Sequence, residues 1–424
     1  MPPDVTAESP DQARSRFSRW GASPPVLAGV LTFLLVIPGW SLAASPPGEP
    51  GPVPFQAFGD GRLVVDGLAF GSMTEYFTSA HFQLGGKRCG TRRIESAAAR
   101  PLAATGAPSD CSLSATAIQD EYYPDDFYII PIVFHVIYKS DGTGNISDVL
   151  IESQVDIMNE DFGALPGTPG AAGFDSHIRF ELAGVTRTQN DNWFNDNDET
   201  GYKTALGWDQ DTYFNVYVNS ASGYLGYAYF PQDSAGSVLD GVVALYSAVG
   251  RDSGAPPYDQ GRTLTHETGH YMGLYHTFQG FACSNTYSTA DRIVDTNPEN
   301  TDHYGCAQTA SCGVADPIHN YLNYTDDTCM EEFTAEQSNR MMCALLNYRA
   351  SLYHVERLGD LDDNGAIQSP DLAVLINYLA GHLAGGDAPF NATVFMADID
   401  GDGAVAATDL AALAAYLAGT SSQL

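Results

Sequence analysis

Three observations in the sequence predict an α+β chain with a small all-α domain at its end. A β-branched and aromatic run opens a series of alternating strand-like and helix-like segments. A stretch rich in Gly, Pro, Asn and Cys follows, with little periodicity. The chain then ends on an internal repeat whose units open at Asp360 and Asp398. Together these give a small mixed, twisted sheet with helices against it, an irregular C-terminal subdomain, and a separate small helical unit.

Residues 1–44 read as a signal peptide. Arg14, Arg16 and Arg19 precede the apolar run Val26–Pro38, and a small-residue site follows at Ser41–Ala44. The apolar run is too short and too interrupted for a good membrane span, so no stable membrane insertion is expected after cleavage. Residues 45–107, rich in Pro, Gly and Ala, read as a linker or pro-segment rather than a packed domain. Residues 108–354 form the main unit. In it Tyr128–Tyr138 reads as a strand, Asp148–Glu160 as a helix capped by Ser147, and Ile178–Val185, Phe214–Val218 and Val242–Ser247 as further strands. Gln260–Leu274 and Thr334–Tyr348 read as helices, separated by the aperiodic stretch. Residues 355–424 form the last domain.

The chain has 424 residues, with 52 acids against 19 Lys and Arg and a formal net charge of −33. Nucleic acid and anionic lipid would repel it. The charge fits solubility in an external medium first and calcium ligation second. Seven cysteines suit an oxidising compartment, and their odd number leaves at least one unpaired within the chain.

The chemistry concentrates in His266-Glu267-Thr268-Gly269-His270-Tyr271-Met272-Gly273-Leu274-Tyr275-His276. On a helix, His266 and His270 share a face one turn apart and can bind one zinc ion. Glu267 then sits beside the metal as a general base that passes its proton to the leaving amine. Gly273 permits a positive-φ turn that swings His276 round as third ligand. Three protein ligands leave a fourth position open, the catalytic pattern. A bare HExxH is a weak signal; the extended string, with five fixed positions, is a strong one.

This string resembles the metzincins, and within them the pappalysins, including the ulilysin-like bacterial members. Gly273–Phe278, Asp295-Thr296, the run from Asn320 to Gln337, and Arg340-Met341 extend the resemblance over about Tyr128–Tyr348. It implies a metzincin-type catalytic domain built round an active-site helix, acting as a zinc endopeptidase on protein or peptide substrates. The turn under the zinc, usually built on methionine, falls on Leu322. Tyr324 matches a tyrosine that stabilises the oxyanion. The resemblance implies disulfides Cys283–Cys312 and Cys306–Cys329; parity then pairs Cys111 with Cys343 and leaves Cys89. Lys87-Arg88-Cys89-Gly90-Thr91-Arg92-Arg93 is similar to the family's pro-segment motif, which implies a cysteine switch: the Cys89 thiolate fills the open zinc position and keeps a precursor latent. The family's acidic specificity residue falls nearest Thr328, with Asp326 and Asp327 beside it, so the resemblance carries no cleavage preference over to this chain. Calcium in the catalytic unit is a further implication, at residues the sequence does not place.

In the tail, Asp360, Asp362, Asn364 and Asp371 supply oxygens at loop positions 1, 3, 5 and 12, and Asp398, Asp400, Asp402 and Asp409 repeat them. Gly365 and Gly403 stand at position 6, and the carbonyls of Ala366 and Ala404 at position 7. These are two calcium loops, each followed by an apolar helix. The tandem loop–helix pair resembles type I dockerin modules, which implies a cohesin-like partner and attachment to a cell surface or scaffold. Ser369-Pro370 and Ala407-Thr408, at the positions that tune partner choice, differ between the repeats. The leading expectation is a secreted, latent zinc endopeptidase. The alternative is a catalytically weak surface or scaffold-docked binding module, against which the intact Glu267 argues. The ligands alone also allow a metallohydrolase of non-peptide substrates.

Overall fold

The computed structural model describes residues 55–91, 111–112, 116–385, 388, 392–421 and 424. The expected leader, 1–44, and the expected boundary at 107/108 lie outside them. The described chain opens with a three-stranded antiparallel sheet, β1 (Phe55–Ala57), β2 (Leu63–Val65) and β3 (Leu68–Phe70), and two short helices, α1 (Met73–Phe77) and α2 (Ala80–Leu84). This corrects the reading of 45–107 as unpacked. Phe55, Leu63, Val65, Tyr76, Phe77 and Phe82 are buried and share a core with Tyr217, Leu245 and Tyr258 of the main unit. Three-residue strands and five-residue helices are too short to display a period. Their core is completed by residues distant in sequence.

The central sheet has strand order β5-β4-β6-β8-β7, from β4 (Phe127–Tyr138), β5 (Ile178–Gln189), β6 (Phe214–Asn219), β7 (Gly226–Tyr227) and β8 (Val242–Leu245). β5, β4, β6 and β8 are parallel, and β7 closes one edge antiparallel to β8. Ile130, Ile132, Phe134 and Val136 of β4 enter one core while Ile129 and Ile137 on the other face enter two others, as expected of a strand covered on both faces. α3 (Asp148–Phe162), capped by the Ser147 hydroxyl, lays Ile151, Val155, Met158 and Phe162 on that core. α4 (Asp191–Phe194), α5 (Glu199–Leu206) and α6 (Pro231–Ser234) fill the connections. The active-site helix is α7 (Arg262–Tyr271), shorter than the sequence suggests. α8 (Ala335–Tyr348) starts with a full capping box, Thr334 to Gln337.

β9 (His354–Glu356) pairs antiparallel with Phe127–Ile129 of β4 and leads into α9 (Ser369–Leu379) and α10 (Ala407–Leu417). The core of this tail, Leu361, Val374, Leu375, Met396, Ile399 and Leu413, takes in Ile129 from β4. Among the described residues, no helix is long and apolar enough to cross a membrane.

Candidate active site

α7 places His266 and His270 on one face. The helix ends at Met272, Gly273 adopts φ +89°, and the Leu274 N–H donates to the Gly269 carbonyl. That reversal returns His276 to the helix. His270 Nε2 then lies 3.2 Å from His266 Nε2 and 3.0 Å from His276 Nε2. His266 Nδ1 donates to the Tyr321 carbonyl (2.6 Å) and His270 Nδ1 to the Leu274 carbonyl (2.8 Å). Each bond fixes the tautomer that leaves Nε2 as a lone pair. Burial holds His266 well below its usual range and lowers His270 to about 4, the neutral ligand form. Unprotonated nitrogens converging this closely repel each other unless a cation lies between them. A tetrahedral zinc at about 2.05 Å from each nitrogen sets them roughly 3.3 Å apart, close to what is observed. The residues fit the metal.

The Cys89 Sγ completes this set, with one ligand atom from each of the four residues within 4.8 Å of the others. Glu267 is buried beside it. Its Oε2 accepts from the Thr91 hydroxyl (2.8 Å) and contacts Cys89 Sγ (3.5 Å). Burial raises the Glu267 carboxyl to about 7. Tyr324 is buried with its ring 4.9 Å from that of His276. Leu322 is buried under the helix, where a Cβ added at Gly269 would stand 3.0 Å from it. The apolar floor is therefore filled by leucine.

A second layer was not apparent in the sequence. Asp161, at the end of α3, accepts from Thr265 Oγ1 (2.6 Å) and from the Tyr321 hydroxyl (2.8 Å), and lies 3.4 Å from Arg262. Tyr321 is the residue whose carbonyl orients His266. The one available signal was an acid on the apolar face of α3, in register with Ile151 and Met158.

Residues 87–91 lie along the edge strand. Gly90 N–H donates to the Gly226 carbonyl (2.8 Å), and Ala228 N–H to Thr91 Oγ1 (2.9 Å). Arg88 inserts into a buried pocket, donating to Thr263 Oγ1 (3.3 Å), stacking over Tyr258 at 5.0 Å and reaching within 3.8 Å of Asp327. The acid that meets the Arg88 side chain is thus Asp327 rather than the position of Thr328. Thr328 is exposed, whereas Asp327 turns inward and accepts from the Gln260 and Arg262 N–H groups. A cleft of about 720 Å³ opens beside Cys89, lined also by Tyr224, Thr301, Asp302 and Tyr304.

Disulfides join Cys111 to Cys343, Cys283 to Cys312 and Cys306 to Cys329, and among the described residues Cys89 is the free cysteine. In the tail, Asp360, Asp362 and Asp371 converge, as do Asp398, Asp400 and Asp409. The side chains at position 12 take equivalent bonds: Asp371 accepts from the Leu361, Asp362 and Gln368 N–H groups, Asp409 from those of Ile399, Asp400 and Ala406. Asn364 contacts Asp362, and Asp402 N–H donates to Asp398. Ala366 and Ala404 stand at the same place in the two loops.

The sheet, the α7 helix and its histidine cluster define a zinc metalloendopeptidase. Residues 198–346 match the family model described as pregnancy-associated plasma protein-A, and 358–418 match the dockerin type I domain. Extracellular metalloprotease 1 of Coccidioides posadasii is 40% identical over 227 residues, covering 51% of this chain and 76% of that protein. An extracellular metalloprotease of Colletotrichum graminicola is 39% identical, over 52% of this chain and 77% of its own. The solved structure of mature Tannerella forsythia mirolysin in complex with a cleaved peptide is 34% identical, covering 54% of this chain and 96% of that one, with a TM-score of 0.47. The chain belongs to the pappalysin family of metzincin peptidases and carries a C-terminal type I dockerin domain.

Proposed function

We propose that this protein is a secreted endopeptidase made as a latent precursor, cutting beside basic side chains. The observation that carries the proposal is the arrangement of Arg88, Cys89 and Thr91 against the catalytic helix. Within a pro-segment spanning 45–107, the Gly90 N–H bonds the Gly226 carbonyl of β7, the edge to which a peptide substrate would add. Burial and the neighbouring Glu267 push the Cys89 thiol upward. A dication among the imidazoles reverses that preference, because a coordinating thiol is deprotonated. The extracellular relatives support secretion.

One zinc, held by His266, His270 and His276, supplies Lewis acidity toward the attacking water and the scissile carbonyl. The remaining work falls to this chain's side chains. The Tyr321 and Leu274 carbonyls keep the imidazoles aimed inward. Glu267, released from Thr91 and Cys89 when the pro-segment leaves, takes the water's proton and hands it to the leaving amine. The Tyr324 hydroxyl donates to the oxyanion as it develops. Arg88 vacates its pocket, and a basic substrate side chain replaces it above Asp327. Two calcium ions fold the tail domain, which docks on a cohesin-like partner.

The test is hydrolysis of denatured casein before and after limited trypsin treatment, with Glu267→Ala and a zinc chelator as controls. Activity that appears on trimming and vanishes in both controls supports the proposal. No activity in any form, with zinc bound, favours the binding-module alternative.

A further inference from the structure

A second donor cluster lies in the disulfide-braced stretch, apart from the catalytic histidines. Glu299 is 1% exposed and Asp316 2%, and His303 faces both. His303 Nε2 lies 2.9 Å from Asp316 Oδ2 and 3.6 Å from Glu299 Oε2, and one donor atom from each residue lies within 4.8 Å of the others. The remaining oxygens are engaged elsewhere. Glu299 Oε1 accepts from Thr277 Oγ1 and from Asn323 Nδ2, Asp316 Oδ1 accepts from the Ser311 hydroxyl, and the Ser311 N–H is shared between both Asp316 oxygens. Glu299 Oε2, fully enclosed and aimed at the cluster, has no hydrogen-bond donor. A buried carboxylate oxygen in that state is costly unless a cation compensates it.

We propose that Glu299, His303 and Asp316 bind a second divalent ion of the zinc class, at a structural site distinct from the catalytic one. An imidazole with two carboxylates suits a transition metal, whereas calcium and magnesium prefer all-oxygen shells. Thr309 Oγ1 lies 3.1 Å from His303 Nε2. The site has a mechanical purpose. Thr301, Asp302 and Tyr304, interleaved with Glu299 and His303, form one wall of the cleft beside Cys89. Glu299 also grips Thr277, which follows His276, and Asn323, which precedes Tyr324. An ion here fastens the cleft wall to both.

The experiment counts zinc bound by the full chain after equilibrium dialysis in excess calcium, which fills the tail loops. Two zinc ions per chain are expected. His303→Ala and the isosteric Glu299→Gln each leave one, with the other retained, while His266→Ala/His270→Ala loses the catalytic ion and keeps the second. Circular dichroism confirms that each variant is folded. A single zinc in the wild type overturns the assignment, including the case in which calcium occupies the cluster. Two retained in His303→Ala, or none in the double variant, overturns it equally.

Discussion

Arg88 and Asp327 meet at 3.8 Å with both side chains fully buried, one from the N-terminal stretch against α7 and one from the aperiodic segment that follows it. The distance is within ion-pair range and too long for a direct hydrogen bond. Burial raises the Asp327 carboxyl to about 6, and the Arg88 charge opposes that rise. On the proposed reading, a pocket holding an acid at this depth selects for a positive substrate side chain.

Asp327→Asn keeps the backbone hydrogen bonds and removes the charge. It should lower kcat/KM for basic substrates by about 30-fold, roughly 2 kcal/mol, and leave neutral ones nearly unchanged. Paired peptides differing at one residue check it. Equal losses on both would end the pocket assignment.

Cys89→Ala should raise the activity of the uncleaved chain, and Arg88→Ala should raise it less. The first removes the proposed metal ligand, whereas the second removes only the anchor that holds it. Initial rates on a quenched peptide, with the pro-segment verified intact by mass spectrometry, report this. Unchanged latency in Cys89→Ala would sink the switch.

Asp161→Ala leaves the Arg262 guanidinium buried without its carboxylate and the Tyr321 hydroxyl without its acceptor. A loss of about 3–5 kcal/mol in stability is expected. Zinc affinity should fall by about 10-fold or more, because Tyr321 carries the carbonyl that orients His266. Urea unfolding and competition with a chelator measure the two effects separately.

His135, buried between Thr186 and Asn215, is pushed down to about 4 by burial. The unfolded chain, with a pKa near 6.5, binds this proton more readily, so stability should rise with pH between about 4 and 6.5. The contribution is roughly 3 kcal/mol. His135→Gln should flatten that part of the stability–pH curve; an unchanged slope would assign it to other groups.

Ile129 contributes a β4 side chain to the tail core, so calcium removal should reach the catalytic sheet. Ile129→Ala is expected to cost about 2–5 kcal/mol. Chelating calcium should speed hydrogen exchange in Phe127–Ile129 as well as in α9 and α10. Protection of β4 that is indifferent to calcium would show the two parts to be uncoupled.

The parts of this protein legible in the sequence rest on short-range spacing. His266 and His270 are one helical turn apart, Gly273 turns the chain for His276, and the tail loops carry their oxygens within twelve residues. Backbone geometry alone brings such groups together, so residue type and interval were enough. Strands 128–138 and 214–218 were legible because they are rich in β-branched and aromatic residues. The packing of residues 55–91 was not, because its elements are too short to repeat a period.

Only the tertiary structure decided that Asp327 rather than its neighbour faces the pocket, and that Arg88 fills it. It also decided that Asp161 supports the carbonyl behind His266, and that Glu299, His303 and Asp316 converge. Each pairing depends on which way a side chain turns in an aperiodic loop, or on contacts between residues far apart in the chain. Packing against the rest of the fold sets those directions, and no local interval encodes them.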